Sequence, residues 1–243
     1  MGMSMFFFYT FNDRLRLVYS FNDGFEKVED IHKYLEEGAL IRLLVTRDIV
    51  PTVTIGHCSG EIAAAFAAGY LSATEAIIIA YYPGFIVSKA PSGGSTKPQG
   101  SMMAVGLSEL NAEKGIIANG LEKQLRVAYV NSPERVTIYG DNNGFESLLP
   151  ILIQKGILAR KLKTVGPAYH SRHMLRVGHK YEALRNKVLL FLGQSFRSQH
   201  SATFISSVAV GVNSSDFGSR YWRHSLESQL RWAQAIGFIQ KTV

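Results

Sequence analysis

The feature that most constrains the fold of this chain is a short motif, Gly56-x-Cys58-x-Gly60, between a predicted strand and a predicted helix. A β-branched run at residues 50–55 precedes the motif, and an alanine-rich run at residues 62–68 follows it. We expect Gly69 to end the helix that this run forms. Glycines two places on either side let the backbone turn sharply, and the central residue of such a turn is typically a nucleophile. The helix N-terminus then directs N–H groups at any anion formed beside it. The segment therefore predicts an α/β protein with Cys58 at a reactive position.

The glycine frame centres on Cys58 and not on its neighbour Ser59, because Ser59 has His57 and Glu61 two places away. A thiolate is a better nucleophile than an alkoxide, and a helix N-terminus with a nearby histidine lowers the pKa of a thiol. The alternative is a small buried cysteine in a turn that has no catalytic role. Both interpretations of Cys58 stay open from the residues alone.

A thiol nucleophile needs a base, and the candidate is His170 in the segment Gly-Pro-Ala-Tyr-His-Ser-Arg-His-Met at residues 166–174. His173 lies three residues further on and competes for the role. A lone histidine is more often structural than catalytic. The pairing of His170 with Cys58 must therefore come from the fold, since the two residues are far apart in the chain.

Composition excludes several classes of protein. Of 243 residues, 47% are hydrophobic and 19% are charged, which is enough apolar side chain for a core and excludes a disordered or coiled-coil chain. One cysteine excludes an internal disulfide framework and a cysteine-rich zinc site, so we expect no bound metal. No apolar run reaches the roughly 18 to 20 residues that span a bilayer. We expect a cytoplasmic protein that does not bind a membrane.

The net charge of +7 raises the question of an acidic partner. The densest basic stretch, residues 155–163, has no interleaved aromatic residues for base stacking. It favours a solvated surface over a nucleic-acid site. A basic surface that steers an acidic protein partner is the alternative.

After a breaker-rich loop at residues 90–100, the pattern predicts a compact βαββαβ unit. The predicted strands are 102–106, 125–130, 136–139 and 158–165, and the predicted helices are 108–119 and 144–155. That order is the ferredoxin-like unit. Before the loop, we expect a helix that ends at residues 40–46 and another that begins with a capping signature at Ser72–Glu75.

The motif at residues 56–65 resembles the GHSxGE nucleophile motif of malonyl-CoA:acyl-carrier-protein acyltransferases. The chain is most similar to the acyltransferase domains of reducing, iterative type I polyketide synthases of the fungal kind. The similarity is collinear over residues 40–236. Its supporting segments are 80–82, 102–107, 130–137, 168–171, 204–208 and 221–222.

The resemblance implies an α/β-hydrolase-like core with an inserted ferredoxin-like small subdomain. Residues 40–100 and 166–243 would form the large subdomain and residues 101–165 the small one, while residues 1–39 form an unassigned, divergent segment. It also implies ping-pong transfer of an acyl group from acyl-CoA to the nucleophile and then to the phosphopantetheine of a carrier protein.

Cys58 would be the nucleophile, His170 the base, and the backbone N–H of Ser59 an oxyanion donor. No bound cofactor is implied. The partners would be acyl-CoA and an acyl carrier protein or neighbouring synthase domains, and not nucleic acid.

Several positions depart from the family pattern. Pro83 stands where the family has the arginine that binds the malonyl carboxylate, and proline offers no such hydrogen bonds. Proline inside a helix also costs about 3 kcal/mol and is expected to break it locally. A Gly-Gln-Gly oxyanion loop is not recognisable in residues 1–40, and Ser225 and Gln229 replace an Asn and a Pro near the base. A malonyl specificity is therefore not supported.

These departures leave alternative functions open. One is an impaired or decayed acyltransferase, which the extender-type sequence around Cys58 favours. Another is a starter-unit acyltransferase, which loads uncharged acyl groups. A catalytically inactive remnant or interaction module, and an acyl-thioester hydrolase, are further alternatives.

Overall fold

The computed structural model describes residues 5–11, 14–20, 39–88, 100–162, 170, 174–192, 202–211 and 217–242. The strands are β1 (Met5–Phe11), β2 (Arg14–Ser20), β3 (Val53–His57), β4 (Gly100–Val105), β5 (Leu125–Ser132), β6 (Arg135–Asp141), β7 (Ala159–Leu162) and β8 (Thr203–Ile205). The helices are α1 (39–46), α2 (Gly60–Ala67), α3 (Ala73–Ser88), α4 (Glu109–Ala118), α5 (Asn142–Gln154), α6 (Leu175–Leu192), α7 (Ser219–Glu227) and α8 (Trp232–Thr242). The elements form two four-stranded sheets.

The first sheet has the strand order β1-β2-β3-β8. β2, β3 and β8 are parallel to one another, with Thr54 opposite both Leu17 of β2 and Phe204 of β8. The carboxyl ends of parallel strands meet at one edge of a sheet, where ligands of α/β proteins typically bind. Cys58 follows β3 at this edge, and Ser206 follows β8.

The strands β1 and β2 lie in the N-terminal segment that the sequence analysis left unassigned. They pair in antiparallel fashion, from Met5 opposite Ser20 to Phe11 opposite Arg14. A signal for them is present in the sequence: two runs rich in strand-forming residues are separated by the turn-favouring pair Asn12-Asp13. The hairpin extends the first sheet beyond β3.

Small alanine side chains let the middle of helix α2 pack close to the first sheet. Ala64 and Ala65 are fully buried, and the Ala64 carbonyl accepts a hydrogen bond from the Thr54 hydroxyl of β3 (2.9 Å). Gly69 ends the helix in the left-handed region (φ 87°), and the Tyr70 N–H donates to the Ala65 carbonyl. The predicted glycine stop is confirmed.

Helix α3 begins with the predicted capping box. The Ser72 N–H donates to the Glu75 carboxylate (2.8 Å), and the Glu75 N–H donates to the Ser72 hydroxyl (3.2 Å). The expected break at Pro83 is wrong, because α3 continues through it to Ser88. Proline cannot donate to the carbonyl of Ile79, four residues earlier, and the hydroxyl of Tyr181 on α6 donates to that carbonyl instead (3.2 Å).

The second sheet has the order β5-β6-β4-β7, and every neighbouring pair is antiparallel. Along the chain its elements run strand, helix, strand, strand, helix, strand, with bounds close to the predicted ones. Residues 163–165 of the last predicted strand lie outside the described residues. The Ser108 side chain caps α4 by accepting a hydrogen bond from the Asn111 N–H. Apolar residues of the strands, α4 and α5 form one core: Met103, Val105, Ala112, Ile116, Leu121, Leu125, Val127, Val130, Val136, Ile138, Phe145, Leu148 and Leu152.

None of the helices in the described residues is both long enough and apolar enough to cross a membrane.

Candidate active site

Cys58 lies on the sharp turn that the sequence predicts between β3 and α2. Its backbone is in the left-handed region (φ 54°), a conformation that costs a non-glycine residue about 1–3 kcal/mol. A Cβ on Gly56 would lie 2.1 Å from the carbonyl carbon and oxygen of Gly60, so only glycine fits there. The Glu61 N–H donates to the Cys58 carbonyl (3.0 Å), which starts the helix directly after the thiol.

His170 lies beside Cys58, with its Nε2 3.1 Å from the Cys58 Sγ. Its Nδ1 lies 3.0 Å from the carbonyl oxygen of Ser228. Because a carbonyl only accepts, Nδ1 carries the hydrogen, and the neutral imidazole presents the Nε2 lone pair to the thiol. The backbone N–H of His170 donates to the Leu226 carbonyl (3.0 Å). Both hydrogen bonds that orient His170 therefore end on the backbone at the end of α7.

His173, the competing histidine, lies outside the described residues. The pairing with Cys58 that the sequence could not decide is made by His170. The imidazole and the thiol are both buried, at 5% and 8% exposure.

Ser59 occupies the N-cap position of α2, with helical backbone angles (φ −62°, ψ −21°). Its backbone N–H is the first of the helix N-terminus and follows Cys58 in the chain. N–H groups at this position have no acceptor inside a helix, and they favour a nearby negative charge. The Ser59 hydroxyl is buried and has no hydrogen-bond partner among the described residues. An oxyanion role for the Ser59 N–H stays a prediction.

Tyr129 of β5 lies between the two histidines of the site. Its ring is 5.4 Å from the His170 ring and 5.3 Å from the His57 ring, edge-on in both cases. The Trp232 ring also lies 5.3 Å from the His57 ring. Sequence reasoning missed these aromatic residues, because no spacing relates them to the motif. Cys58 packs in one buried cluster with Met102, Ala128, Tyr129, Tyr139 and Leu230, so the second sheet forms a wall of the site.

His57, the residue before the thiol, connects the first sheet to the second. Its Nε2 lies 3.0 Å from the Asn131 Oδ1, and the Asn131 amide nitrogen donates to the Thr137 hydroxyl (3.0 Å). Since the Asn131 Oδ1 accepts, the His57 Nε2 carries a hydrogen. The turn that holds Cys58 is thus bonded to β5 and β6.

The segment after α7 is bonded to the second sheet as well. The Val130 N–H donates to the Leu230 carbonyl and the Leu230 N–H to the Ala128 carbonyl, both at 2.8 Å. The Gln229 side chain donates to the Val127 carbonyl (3.3 Å). Gln229, one of the departures from the family pattern, therefore fixes the segment that carries the acceptor for His170.

Glu61 is the buried carboxyl group of the site, with 1% exposure. It accepts hydrogen bonds from the Ser207 N–H and the Ser225 hydroxyl, both at 2.7 Å. Burial raises the pKa of Glu61, and the bonds from Ser225 and Ser207 oppose that shift. Burial, and then Glu61, raise the pKa of Tyr221, whose hydroxyl donates to the Ser206 hydroxyl (2.8 Å). The sequence marked Ser225 as a departure but did not connect it with Glu61.

Pro83 is buried inside α3. A proline side chain has no hydrogen-bond donor, so Pro83 cannot donate to a carboxylate.

The described residues do not gather three or more His, Cys, Asp or Glu side chains that could hold a metal ion. The chemistry that the arrangement supports is therefore that of a thiol, an imidazole and a helix N-terminus: transfer of a group onto sulfur with proton transfer through Nε2.

A family model described as "Acyl transferase domain" matches residues 36–242, which include the motif, His170 and Ser228. The chain belongs to the acyl transferase domain family. The resemblance drawn from the motif is confirmed, and membership places the chain among the transferases of acyl groups.

Two relatives of this acyl transferase domain are fungal polyketide synthases. The highly reducing polyketide synthase anuA of Penicillium roqueforti is 54% identical over 198 residues, which are 82% of this chain and 9% of that protein. The highly reducing polyketide synthase srdA of Neurospora crassa is 45% identical over 199 residues, which are 82% of this chain and 8% of that protein. The chain thus spans less than a tenth of the length of these relatives. It is an acyl transferase domain of the polyketide synthase type.

The mixed α/β fold matches solved acyl transferase structures. The malonyl CoA-acyl carrier protein transacylase of Coxiella burnetii superimposes with a TM-score of 0.72 at 21% identity, over 88% of this chain and 65% of that chain. This likeness shows the fold alone.

Proposed function

We propose that this domain transfers an acyl group from acyl-CoA to the phosphopantetheine thiol of an acyl carrier protein, through a thioester on Cys58. The observation that carries the proposal is the 3.1 Å separation of the Cys58 Sγ from the His170 Nε2, with Nδ1 held by a backbone carbonyl. No bound cofactor takes part. The carrier protein, or the synthase domains that present it, is the proposed macromolecular partner.

The reaction proceeds in two half-reactions. The His170 Nε2 takes the thiol proton, and the Cys58 thiolate attacks the thioester carbonyl of acyl-CoA. The Ser59 N–H at the helix N-terminus stabilises the oxyanion. Collapse of the tetrahedral intermediate breaks the carbon–sulfur bond to coenzyme A, whose thiolate receives the proton from Nε2. The phosphopantetheine thiol then gives its proton to Nε2, attacks the Cys58 thioester, and leaves with the acyl group, while Cys58 recovers the proton.

The preferred acyl group is uncharged, because Pro83 cannot grip a free carboxylate as an arginine can. The activity is accordingly impaired toward malonyl groups. An arginine–carboxylate pair in a protein is held by two charge-assisted hydrogen bonds, and its loss removes the main attraction for the malonyl carboxylate.

We also propose that the two sheets belong to two subdomains, with the site between them. Residues 40–100 and 166–243 form an α/β-hydrolase-like large subdomain, to which the hairpin at residues 5–20 adds two strands. Residues 101–165 form a ferredoxin-like small subdomain. The order β5-β6-β4-β7 with antiparallel pairing supports that assignment. The cytoplasmic location expected from the sequence stays a prediction.

Intact mass spectrometry after incubation with acetyl-, hexanoyl- and malonyl-CoA tests the transfer. We expect an adduct of the acyl mass on the wild type, transfer of that group to a carrier protein, and no adduct on Cys58→Ala. His170→Ala should slow loading by about 10²- to 10⁴-fold, since general base catalysis is lost. Release of coenzyme A without transfer would indicate a hydrolase, and no adduct from any donor would indicate an inactive module.

The acyl preference has its own test. Pro83→Arg should raise the ratio of malonyl to acetyl loading, because it offers a cation for the carboxylate. Pro83→Ala is the matched control, since it restores the helical N–H without a charge. An equal rise in both variants would contradict the assignment of Pro83 to carboxylate recognition.

A further inference from the structure

The Glu61 carboxyl group joins the two parts of the chain that carry the reacting atoms. Glu61 lies in the first turn of α2, three residues after Cys58. Its carboxyl accepts from the Ser207 N–H in the loop after β8 and from the Ser225 hydroxyl near the end of α7. One buried side chain thus bonds the nucleophile's helix to two other segments of the site.

Two backbone carbonyls at the end of α7 accept hydrogen bonds from His170. The Leu226 carbonyl accepts from the His170 N–H, and the Ser228 carbonyl accepts from the His170 Nδ1, both at 3.0 Å. Leu226 directly follows Ser225, whose hydroxyl is bonded to Glu61. A shift of this stretch therefore moves the imidazole relative to the thiol.

Ser207 provides a second route to the same stretch. Its N–H is bonded to Glu61, and its carbonyl accepts from the Arg231 N–H (2.6 Å), three residues after Ser228. Residues 225–231 are thus connected to Glu61 at both ends. An apolar side chain at position 61 would leave the Ser207 N–H and the Ser225 hydroxyl buried without their acceptor.

We infer that Glu61 is a positioning residue, which sets the separation of the Cys58 Sγ and the His170 Nε2 by holding residues 225–231 against the start of α2. Glutamine at position 61 keeps both hydrogen bonds. Its side-chain oxygen accepts from the Ser207 N–H, and the Ser225 hydroxyl can turn to accept from its amide nitrogen. Alanine loses both. The inference rests on the proposed function only for the use of the pair in acyl transfer.

Alkylation by iodoacetamide, followed by intact mass over pH 5.5 to 9.5, tests the inference. Cys58 is the only cysteine of the chain, so the adduct reports one thiol. We expect the wild-type rate to reach half of its plateau well below pH ~8.5, the value typical of a free thiol. Glu61→Ala should move this midpoint toward ~8.5 and lower the rate at pH 6.5 by about tenfold, and Glu61→Gln should retain the wild-type midpoint.

Glu75→Ala is the matched control. Glu75 is another buried carboxyl that accepts hydrogen bonds at the start of a helix, from the Ser72 N–H and hydroxyl at 2.8 and 2.9 Å. We expect it to lower the thermal midpoint of unfolding and leave the alkylation midpoint unchanged. An unshifted alkylation midpoint in Glu61→Ala, or an equal shift in Glu75→Ala, would overturn the inference.

If Glu61→Ala does not fold, Ser225→Ala serves instead. This variant removes the hydrogen bond between Glu61 and α7 and keeps the one to Ser207. It should move the alkylation midpoint in the same direction by a smaller amount. An unshifted midpoint would overturn the inference. Because alkylation needs no acyl donor, the outcome is independent of the proposed transfer. A chain that accepts no acyl group but shows the Glu61-dependent shift overturns the proposed function and supports the positioning role.

Discussion

The hydroxyl of Tyr181 donates a hydrogen bond to the carbonyl oxygen of Ile79, the acceptor that Pro83 leaves without its helical partner. The two residues lie on different helices, α6 and α3, and the bond is buried. Burial raises the pKa of Tyr181 above its usual value, so its hydroxyl stays protonated and remains a donor. A proline inside α3 is therefore tolerated because another helix replaces the lost hydrogen bond.

This relationship predicts a coupling between positions 181 and 83. Tyr181→Phe leaves the Ile79 carbonyl buried without a donor and should lower the free energy of unfolding by about 1–3 kcal/mol. In a Pro83→Ala background the alanine N–H can serve Ile79, so the same change should cost about 1 kcal/mol less. Urea unfolding of the wild type, the two single variants and the double variant measures the coupling. Equal costs in both backgrounds would show that the tyrosine does not compensate for the proline.

The close approach of Gly56 and Gly60 predicts a severe effect of a single methyl group. Gly56→Ala places a Cβ 2.1 Å from backbone atoms of Gly60, and should lower the free energy of unfolding by more than about 4 kcal/mol or prevent folding. Gly115→Ala in α4 is the control, because a Cβ there meets no atom within 4 Å. It should raise stability by about 0.5–1 kcal/mol. Near-wild-type stability of Gly56→Ala in urea unfolding would contradict the tight turn.

The buried carboxyl of Glu61 predicts a pH dependence of stability. Burial raises its pKa in the folded chain above the usual 4.5, so between these two values the folded chain keeps a proton that the unfolded chain has lost. The stability that this group contributes is full below pH 4.5 and is lost as the pH rises through the folded pKa.

Glu61→Gln removes this loss. The free energy of unfolding of the wild type minus that of Glu61→Gln should be constant below pH 4.5 and then fall by about 1.4 kcal/mol per pH unit up to the folded pKa. Urea unfolding of both proteins from pH 4 to pH 8 measures the difference. A difference that stays constant, or grows with pH, would contradict the raised pKa.

The identity of the nucleophile predicts the chemistry of its adduct. An acyl group on Cys58 is a thioester, which neutral hydroxylamine cleaves. Cys58→Ser, which restores the family's serine, should form an oxygen ester that resists the same treatment. Intact mass before and after hydroxylamine distinguishes the two. A hydroxylamine-resistant adduct on the wild type would place the acyl group elsewhere.

Local patterns in the sequence were sufficient for much of the fold. The capping box at Ser72 and Glu75, the glycine stop at Gly69 and the alternation of strands and helices in the second sheet all depend on residues close in the chain. The N-terminal hairpin was missed, although its two strand-forming runs and the turn-favouring residues Asn12 and Asp13 between them carry a signal in the sequence. The break at Pro83 was expected because its compensation by Tyr181 involves a residue from a distant helix.

The site also combines residues that a local pattern reveals with residues that only the fold brings together. Cys58 could be found because its glycine frame is local, whereas its pairing with His170 required the fold. Glu61 was noticed only as part of the motif and Ser225 only as a departure from the family pattern, since the two bonded residues are far apart in the chain. The Ser228 acceptor could not be found from its residue type, because the atom that accepts belongs to the backbone.

That backbone acceptor has a consequence for how this arrangement is inherited. Every amino acid at position 228 supplies a carbonyl oxygen. The tautomer of the His170 imidazole therefore depends on the path of the main chain and does not depend on which side chain stands at position 228. Substitution can therefore disturb the pairing only through Cys58, through His170, or through residues such as Glu61 that hold this stretch of main chain in place.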